Sequence, residues 1–298
     1  NALDLTAPAS DALLKNRKNA WVQLAGHPGS FAPAGPHTIW KKRMTKENNE
    51  TVAYQALLHD AVKDLVPQFY REVYFNGDVF IEIEDLLQHF TNPSIMDIKM
   101  GTRTFLESEV TNPVVRKDLY EKMIKLNMDE PTEEEHEQKA ITKLRYMQFR
   151  EKDSSTASLG FRIEALRMAG EPPNTDLKKV KSRDQVKNKM VMFLEGNLEV
   201  MNKLIQRLQR IREKFAESKF FRNHEIIGSS LLILYDHHHH ANIWLIDFAK
   251  TLPVEGIELT HESAWEVGNH EDGYLIGLEN IASVSLGWNK FTYLIEYL

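Results

Sequence analysis

The sequence predicts an α+β protein: a small α+β lobe, a charged helical insertion and a larger α+β lobe. Three observations predict it. Asn76-Gly77-Asp78 separates two β-rich runs at 69–75 and 79–83, a strong hairpin signal. Residues 111–190 then change character and read as almost wholly helical and charged. Beyond them, apolar runs at 226–235 and 242–248 flank a polar turn and read as buried strands.

Taken in order, residues 1–25 form a Pro-, Ala- and Ser-containing opening with a short helical stretch from Ser10 toward Trp21. Turns follow at Gly26-His27-Pro28-Gly29 and Gly35-Pro36. Residues 39–44 read as a strand carrying Lys41 and Lys42, and residues 47–62 as a helix with Val52, Gln55, Ala56 and His59 on one stripe. With the hairpin, these make 26–90 the first lobe. The second lobe takes 91–110 and 186–298, interrupted by the insertion at 111–185.

Within the insertion, Pro131 followed by Thr132-Glu133-Glu134-Glu135 marks a helix start, with Thr as cap and the carboxylates near the positive end of the dipole. Further on, Lys143, Tyr146, Met147 and Arg150 share one helical face. Residues 139–187 carry twelve Lys and Arg against six Asp and Glu, a local excess of +6 in a chain whose net charge is −6. The stretch after Asn197 places Met201, Leu204, Leu208, Ile211 and Phe215 at helical spacing and predicts a core helix.

Composition narrows the function classes. Apolar residues make up 42% and charged residues 27% of 298 residues, which excludes wholesale disorder and fibrous repeats. The net negative charge argues against nucleic acid as a partner. Cysteine is absent, which removes thiolate metal sites and Cys nucleophiles and fits a reducing, cytoplasmic setting. The apolar runs are half the length a membrane span needs, and no basic-then-apolar leader follows Asn1.

Four features could carry chemistry. Asp97 and Lys99, two apart in the apolar strand-like stretch 93–101, project from one face, either into a site or as a buried ion pair. Asp247 ends an apolar strand, where a Mg²⁺-phosphate ligand or a turn cap would sit, and Ser230 opens the partner strand. Lys42 could meet nucleotide phosphates, and the backbone around Glu84 and Leu86, directly after a strand, could read a purine. Lys143 and Arg150, two turns apart, are spaced on the order of 10 Å, which suits a multiply phosphorylated small molecule. His237–His240 read as a solvated turn rather than a metal site.

In order, these signals resemble one family. Pro93-x-x-x-Asp97-x-Lys99-x-Gly101 is similar to the signature of the inositol polyphosphate kinases, and Gly228-Ser229-Ser230-Leu231-Leu232 and Ile246-Asp247-Phe248 follow at the family's spacing. Arg145-Tyr146-Met147-Gln148 and the stretch from Ser154 to Arg162 resemble its inositol 1,4,5-trisphosphate 3-kinase branch. The likeness runs from about Trp21 to Gly277.

The resemblance implies a bilobal kinase-like fold, related to ATP-grasp enzymes and protein kinases, with an inserted helical lobe for the inositol phosphate. It implies ATP and Mg²⁺ as cofactors and transfer to the 3-hydroxyl of inositol 1,4,5-trisphosphate. Lys42 would bind ATP phosphates, the backbone from Glu84 to Leu86 would hold adenine, and Asp247 would ligate metal beside Ser230. Asp97 would orient or deprotonate the hydroxyl, and Lys99 would bridge the transferred phosphoryl and a substrate phosphate. Arg116, Lys117, Lys143, Tyr146, Arg150 and Arg167 would grip the other phosphates. A broader multikinase, or a scaffold that binds inositol phosphate with little turnover, are the alternatives at this point. Two departures stand out: Ala249 replaces a common Gly, and Arg167 a common Lys. Lys15, Arg17, Lys18 and Trp21 resemble a fragment of the family's calmodulin-binding helix, which implies calmodulin as a partner.

Overall fold

The computed structural model describes residues 30–44 and 49–285. The first sheet is antiparallel, in the order β1 (Phe31–Pro33), β2 (Thr38–Lys42), β4 (Asp78–Glu84), β3 (Phe69–Phe75). The hairpin forms where expected. Asn76 and Gly77 both take positive φ, 49° and 80°, which is the backbone twist a two-residue connection between right-twisted strands requires. Helix α1 (Glu50–Leu57) lies between β2 and β3 in sequence. It is shorter than the expected 47–62, because residues 58–65 tighten into turns and a 3₁₀ segment.

The second sheet, also antiparallel, positions the site. Its order is β11 (Ala241–Ile246), β10 (Ser230–Tyr235), β5 (Ser94–Met100), β8 (Phe161–Arg167). Alternation divides it cleanly. Met96, Ile98 and Met100 of β5, Leu231 and Ile233 of β10, Ile243 and Leu245 of β11, and Phe161 and Ile163 of β8 join the main core. They pack with α6 (Arg183–Leu194), α7 (Leu198–Glu217) and α9 (Tyr274–Ser285). The register then puts Asp97, Lys99, Ser230, Leu232, Trp244, Ile246 and Arg162 on the opposite face.

The insertion has its own small core: Leu119, Tyr120 and Met123 of α2 (Lys117–Leu126), Ile141 of β7 (Ile141–Thr142) and Phe149 of α4 (Lys143–Lys152). Strand β6 (Val115–Arg116) pairs with β7. Helix α3 (Glu133–Gln138) opens with a full capping box, Thr132 Oγ1 accepting from the Glu135 amide at 3.2 Å and Glu135 returning a carboxylate to the Thr132 amide at 2.9 Å. Short α5 (Thr156–Leu159) leads into β8.

Two expectations change. The stretch 111–190 is not wholly helical, since β8 leaves the insertion and becomes an edge strand of the second sheet. Its charged residues disguised it: Arg162 and Glu164 face the site while Phe161 and Ile163 face the core. Residues 226–235 are not one strand either. They divide at Gly228-Ser229 into β9 (His224–Ile227), which pairs with β12 (Lys250–Pro253), and β10. Short α8 (Lys219–Arg222) precedes β9. Among the described residues, no helix is long and apolar enough to cross a membrane.

Candidate active site

Adjacent lysines on β2 point to opposite faces, and the structure selects Lys41 rather than Lys42. Lys41 lies opposite Ile81, on the face that carries Ile39 and the core residues Ile81 and Ile83. Its ammonium reaches Glu50 Oε1 at 2.6 Å and also bonds the Asp247 carboxylate. Lys42, on the other face, pairs with Asp78 at 2.5 Å. Strand parity therefore keeps Lys42, the lysine expected to meet the phosphates, away from Asp247.

Glu50 is almost fully buried and also accepts from the Phe248 amide at 3.2 Å. Asn49 donates to the carbonyls of Ala249 and Thr251, so the start of α1 is fastened to the turn after β11. Burial alone would lower the Lys41 pKa, yet Asp247 and Glu50 raise it. Asp247 is held below its usual value: Lys41 outweighs the opposing effect of burial. Asp247 has φ +67°, a left-handed conformation that Asp tolerates better than most residues. Ala249 has no positive φ, so the alanine costs the turn nothing in backbone strain.

The connection between the sheets starts at Glu84. Its amide is committed to the Gln68 carbonyl, and its carboxylate to His89 at 2.6 Å. Leu86 is buried with Phe90, Ile95, Leu234 and Trp244, against partly exposed Leu232 and Ile246. This makes an apolar floor beside the connection. Sequence reasoning missed Leu232 and Ile246, because strands apolar on both faces give no alternation to read.

Asp97 lies opposite Leu232 on β10, beside Ser230 and Asp247. Its Oδ1 is buried without a hydrogen-bond partner. Burial, followed by the charge of Asp247, pushes its pKa up to about 7. Together with Asp247 and the Ser230 hydroxyl it makes an all-oxygen donor set of the kind Mg²⁺ prefers. Among the described residues no group of three or more His, Asp or Glu could enclose a metal, so an ion here would complete its shell with phosphate oxygens and water.

Around Lys99 the structure gathers cations from three other segments. Arg162, opposite Lys99 on β8, is buried and bonds Glu164 at 2.7 Å. Lys99 lies 3.5 Å from the same Glu164 oxygen. Against burial, Lys99 and Arg162 draw the Glu164 pKa down to about 2. Arg150 is buried, and its pKa is lowered by burial and then by the charge of Arg162. Tyr146 is close enough to feel both arginines. Lys143 pairs with Glu109 at 2.5 Å. Lys250, first residue of β12, has its pKa lowered to about 8 by burial and then by Lys143 and Lys99.

Arg116 and Lys117 are exposed at the rim, Arg116 pairing with Asp118 at 2.7 Å. Arg167 is not brought to the cluster. It lies opposite Ile95 at the far end of β8, donating to the carbonyls of Glu171 and Pro93 and to Asn92 Oδ1. Five steps along a strand carry it well away from Arg162. Sequence reasoning missed Arg162, Glu164, Lys250, Lys41 and Glu50. The parity of Arg162 and Glu164 within 161–167 was the signal available for two of them.

A family model for inositol polyphosphate kinase matches residues 80–285. The chain belongs to the inositol polyphosphate kinase family. Among curated relatives, it is 46% identical over 273 residues to Inositol-trisphosphate 3-kinase A of Homo sapiens, covering 90% of this chain and 59% of that protein. It is 48% identical over 286 residues to the Inositol-trisphosphate 3-kinase homolog of Caenorhabditis elegans, covering 94% and 58%. The chain thus spans under two thirds of the relatives it matches. A solved inositol phosphate multikinase, Ipk2 of S. cerevisiae in complex with ADP and Mn²⁺, shares the fold with TM-score 0.54 over 83% of this chain and 97% of that one, at 16% identity. The expected α+β inositol polyphosphate kinase fold is therefore the observed one.

Proposed function

We propose that the chain phosphorylates the 3-hydroxyl of inositol 1,4,5-trisphosphate, using ATP and Mg²⁺, to give inositol 1,3,4,5-tetrakisphosphate. The observation that carries this is the juxtaposition, on one sheet face, of the Asp97 carboxylate with Lys99, Arg162, Arg150 and their neighbours. A small polyanion would be bound there with one hydroxyl directed at Asp97. The 42–48% identity to proteins named inositol-trisphosphate 3-kinases supports the choice of substrate.

Phosphoryl transfer needs positioning and charge cancellation more than covalent help. Lys41 would hold ATP phosphates, with Glu50 and Asp247 fixing its ammonium. Leu232 and Ile246 would support the adenine beside the backbone from Glu84 to Leu86. Mg²⁺, held by Asp247 with Ser230 and Asp97 nearby, would offset charge developing on the phosphates. The hydroxyl oxygen attacks the γ-phosphorus, its proton passes to Asp97, and the bond from phosphorus to the ADP oxygen breaks. A carboxylate with pKa about 7 is suited to that proton at neutral pH. Lys99 would bridge the phosphoryl in transit, and Lys143, Tyr146, Arg150 and Arg162 would grip the remaining phosphates, with Arg116 and Lys117 at the rim.

The test is turnover with Mg²⁺-ATP and inositol 1,4,5-trisphosphate, with the product position assigned by phosphorus NMR. One product carrying the new phosphate at position 3 is expected. Several products would point to a multikinase, and binding without turnover to a scaffold. We further propose a cytoplasmic role in calcium signalling, with calmodulin captured by residues 13–21, which lie outside the described residues. Calcium-dependent retention on immobilised calmodulin checks this, and loss of retention is expected when Trp21 and Arg17 are replaced by Ala.

A further inference from the structure

Among the cations of the site sits a carboxylate, Glu164, that the reaction does not call for. Glu164 lies on β8 where the pairing with β5 skips a residue, Asp97 pairing with Ala165 and Ile98 with Ile163. Its Oε1 lies 2.7 Å from Arg162 Nη2 and 3.5 Å from Lys99 Nζ. Arg162 has a second partner, Thr156 Oγ1 at 3.2 Å, so its orientation does not depend on Glu164 alone. The side chain keeps 29% of its surface exposed, as does Lys99. The carboxylate therefore borders the space where a bound polyanion would lie.

We propose that Glu164 is a specificity-determining residue that weakens retention of the more highly phosphorylated product relative to the substrate. The inference rests on the 3-kinase reading above. Transfer converts a neutral hydroxyl at Asp97 into a phosphate monoester, adding a charge of roughly −1.5 to −2. Asp97 and Lys99 are two residues apart on one strand face, about 7 Å, so the new phosphate arises beside Lys99. Glu164 lies against Lys99 as well as Arg162. The newest phosphate thus arises within reach of this carboxylate. At a separation of about 8 Å and an effective dielectric of about 20, two like unit charges repel by roughly tenfold or more in an equilibrium constant. A hydroxyl in the same place suffers no such repulsion. The older phosphates are common to both ligands, so their repulsion by Glu164 cancels in the ratio of the two constants. Glu164 remains ionised throughout the neutral range because its cationic neighbours hold it so.

Calorimetric titration of the purified chain with inositol 1,4,5-trisphosphate and with inositol 1,3,4,5-tetrakisphosphate measures this without requiring turnover. In Glu164→Gln, which keeps the shape and can still accept from Arg162, the tetrakisphosphate is expected to tighten about tenfold more than the trisphosphate. Glu164→Asp is expected to keep the wild-type ratio of the two constants. Glu164→Ala is titrated alongside, so that misfolding of one variant, seen by circular dichroism, does not decide the matter. A folded variant in which both ligands shift by the same factor, or in which the tetrakisphosphate does not tighten, overturns the proposal. Lack of turnover by the wild-type chain would instead sink the 3-kinase reading, leaving the binding ratio to judge Glu164.

Discussion

The ammonium of Lys41, on the first sheet, is bonded to the carboxylate of Asp247, at the end of a strand in the second, with buried Glu50 bonded to the same ammonium. This contact sets the spacing between the two sheets where ATP phosphates would lie. Removing Lys41 would leave Glu50 as an uncompensated buried charge. Lys41→Met is expected to lower kcat/KM by about 10²–10³, the size seen when a charge-stabilising donor is lost, and to destabilise the fold by about 3–5 kcal/mol. Lys42→Ala, which removes only the pairing with Asp78 on the other face, is expected to stay within about threefold of wild type. Steady-state kinetics and urea unfolding of the two variants check this, and equal losses would refute the assignment.

Asp97 should lose function and gain stability when neutralised. Its folded pKa, about 7, is raised above the usual aspartate value by burial and then by the charge of Asp247. The folded state then binds the proton more tightly than the unfolded one, so stability present below about pH 4 is lost as pH rises toward 7. Asp97→Asn is expected to keep trisphosphate affinity, to lose most turnover, and to melt higher than wild type at pH 8 by more than at pH 5. Thermal melts at the two pH values check the sign. Normal kcat in the variant would remove Asp97 from the chemistry.

The two arginines at opposite ends of the helical lobe and β8 should behave differently. Arg150 is buried in the cation cluster, whereas Arg167 is held by the Glu171 and Pro93 carbonyls. Arg150→Ala is expected to raise KM for the trisphosphate about tenfold or more, the scale of a lost charged hydrogen bond, with a smaller change in kcat. Arg167→Ala is expected to change KM by less than about threefold. The reverse order would place the substrate nearer the head of β5.

A buried histidine sets a second pH dependence, away from the site. His261 Nδ1 meets the Asp272 carboxylate at 2.9 Å and Nε2 meets the Phe221 carbonyl at 2.7 Å. Two acceptors satisfy both nitrogens only in the imidazolium form. Burial would lower its pKa, but Asp272 and its hydrogen bonds raise it above 6.5. The stability this contributes is fully present below 6.5 and is lost as pH rises through the raised folded value. Asp272 also accepts from the Ile226 amide, and its carbonyl from the Thr102 amide, next to Gly101. There φ is +96° and a Cβ would meet the Asp272 carbonyl oxygen at 2.8 Å. Wild-type melting temperature is therefore expected to fall as pH rises above 6.5, and His261→Gln to flatten that fall. An unchanged slope would exclude the pair.

The signature around Asp97 was legible because it is local. A charged pair two apart in an apolar strand projects from one face whatever the strand packs against. The hairpin at Asn76-Gly77 was legible for the same reason, since its turn chemistry lies in adjacent residues. Strand β8 was not. Its charged residues face a site, so the solvent-versus-core contrast that marks a strand was replaced by charge against core, and charge reads as helix surface. Lys41 and Lys42 could not be separated either, because strand parity becomes meaningful only once a neighbour's register is known.

The sequence by itself determined the α+β class, the long core helix with Leu204, Leu208, Ile211 and Phe215 inward, and the positions of Asp97, Lys99 and Asp247. Periodicity, turn chemistry and short motifs are set within a few residues of chain. Only the tertiary structure decided that Lys41 faces Asp247, that Arg162, Glu164 and Lys250 join Lys99, and that Arg167 stands apart. Those facts depend on which strand lies beside which and in what register. Pairings between residues as distant as Lys41 and Asp247 are fixed by burying one face of each sheet, a condition no local stretch of sequence contains.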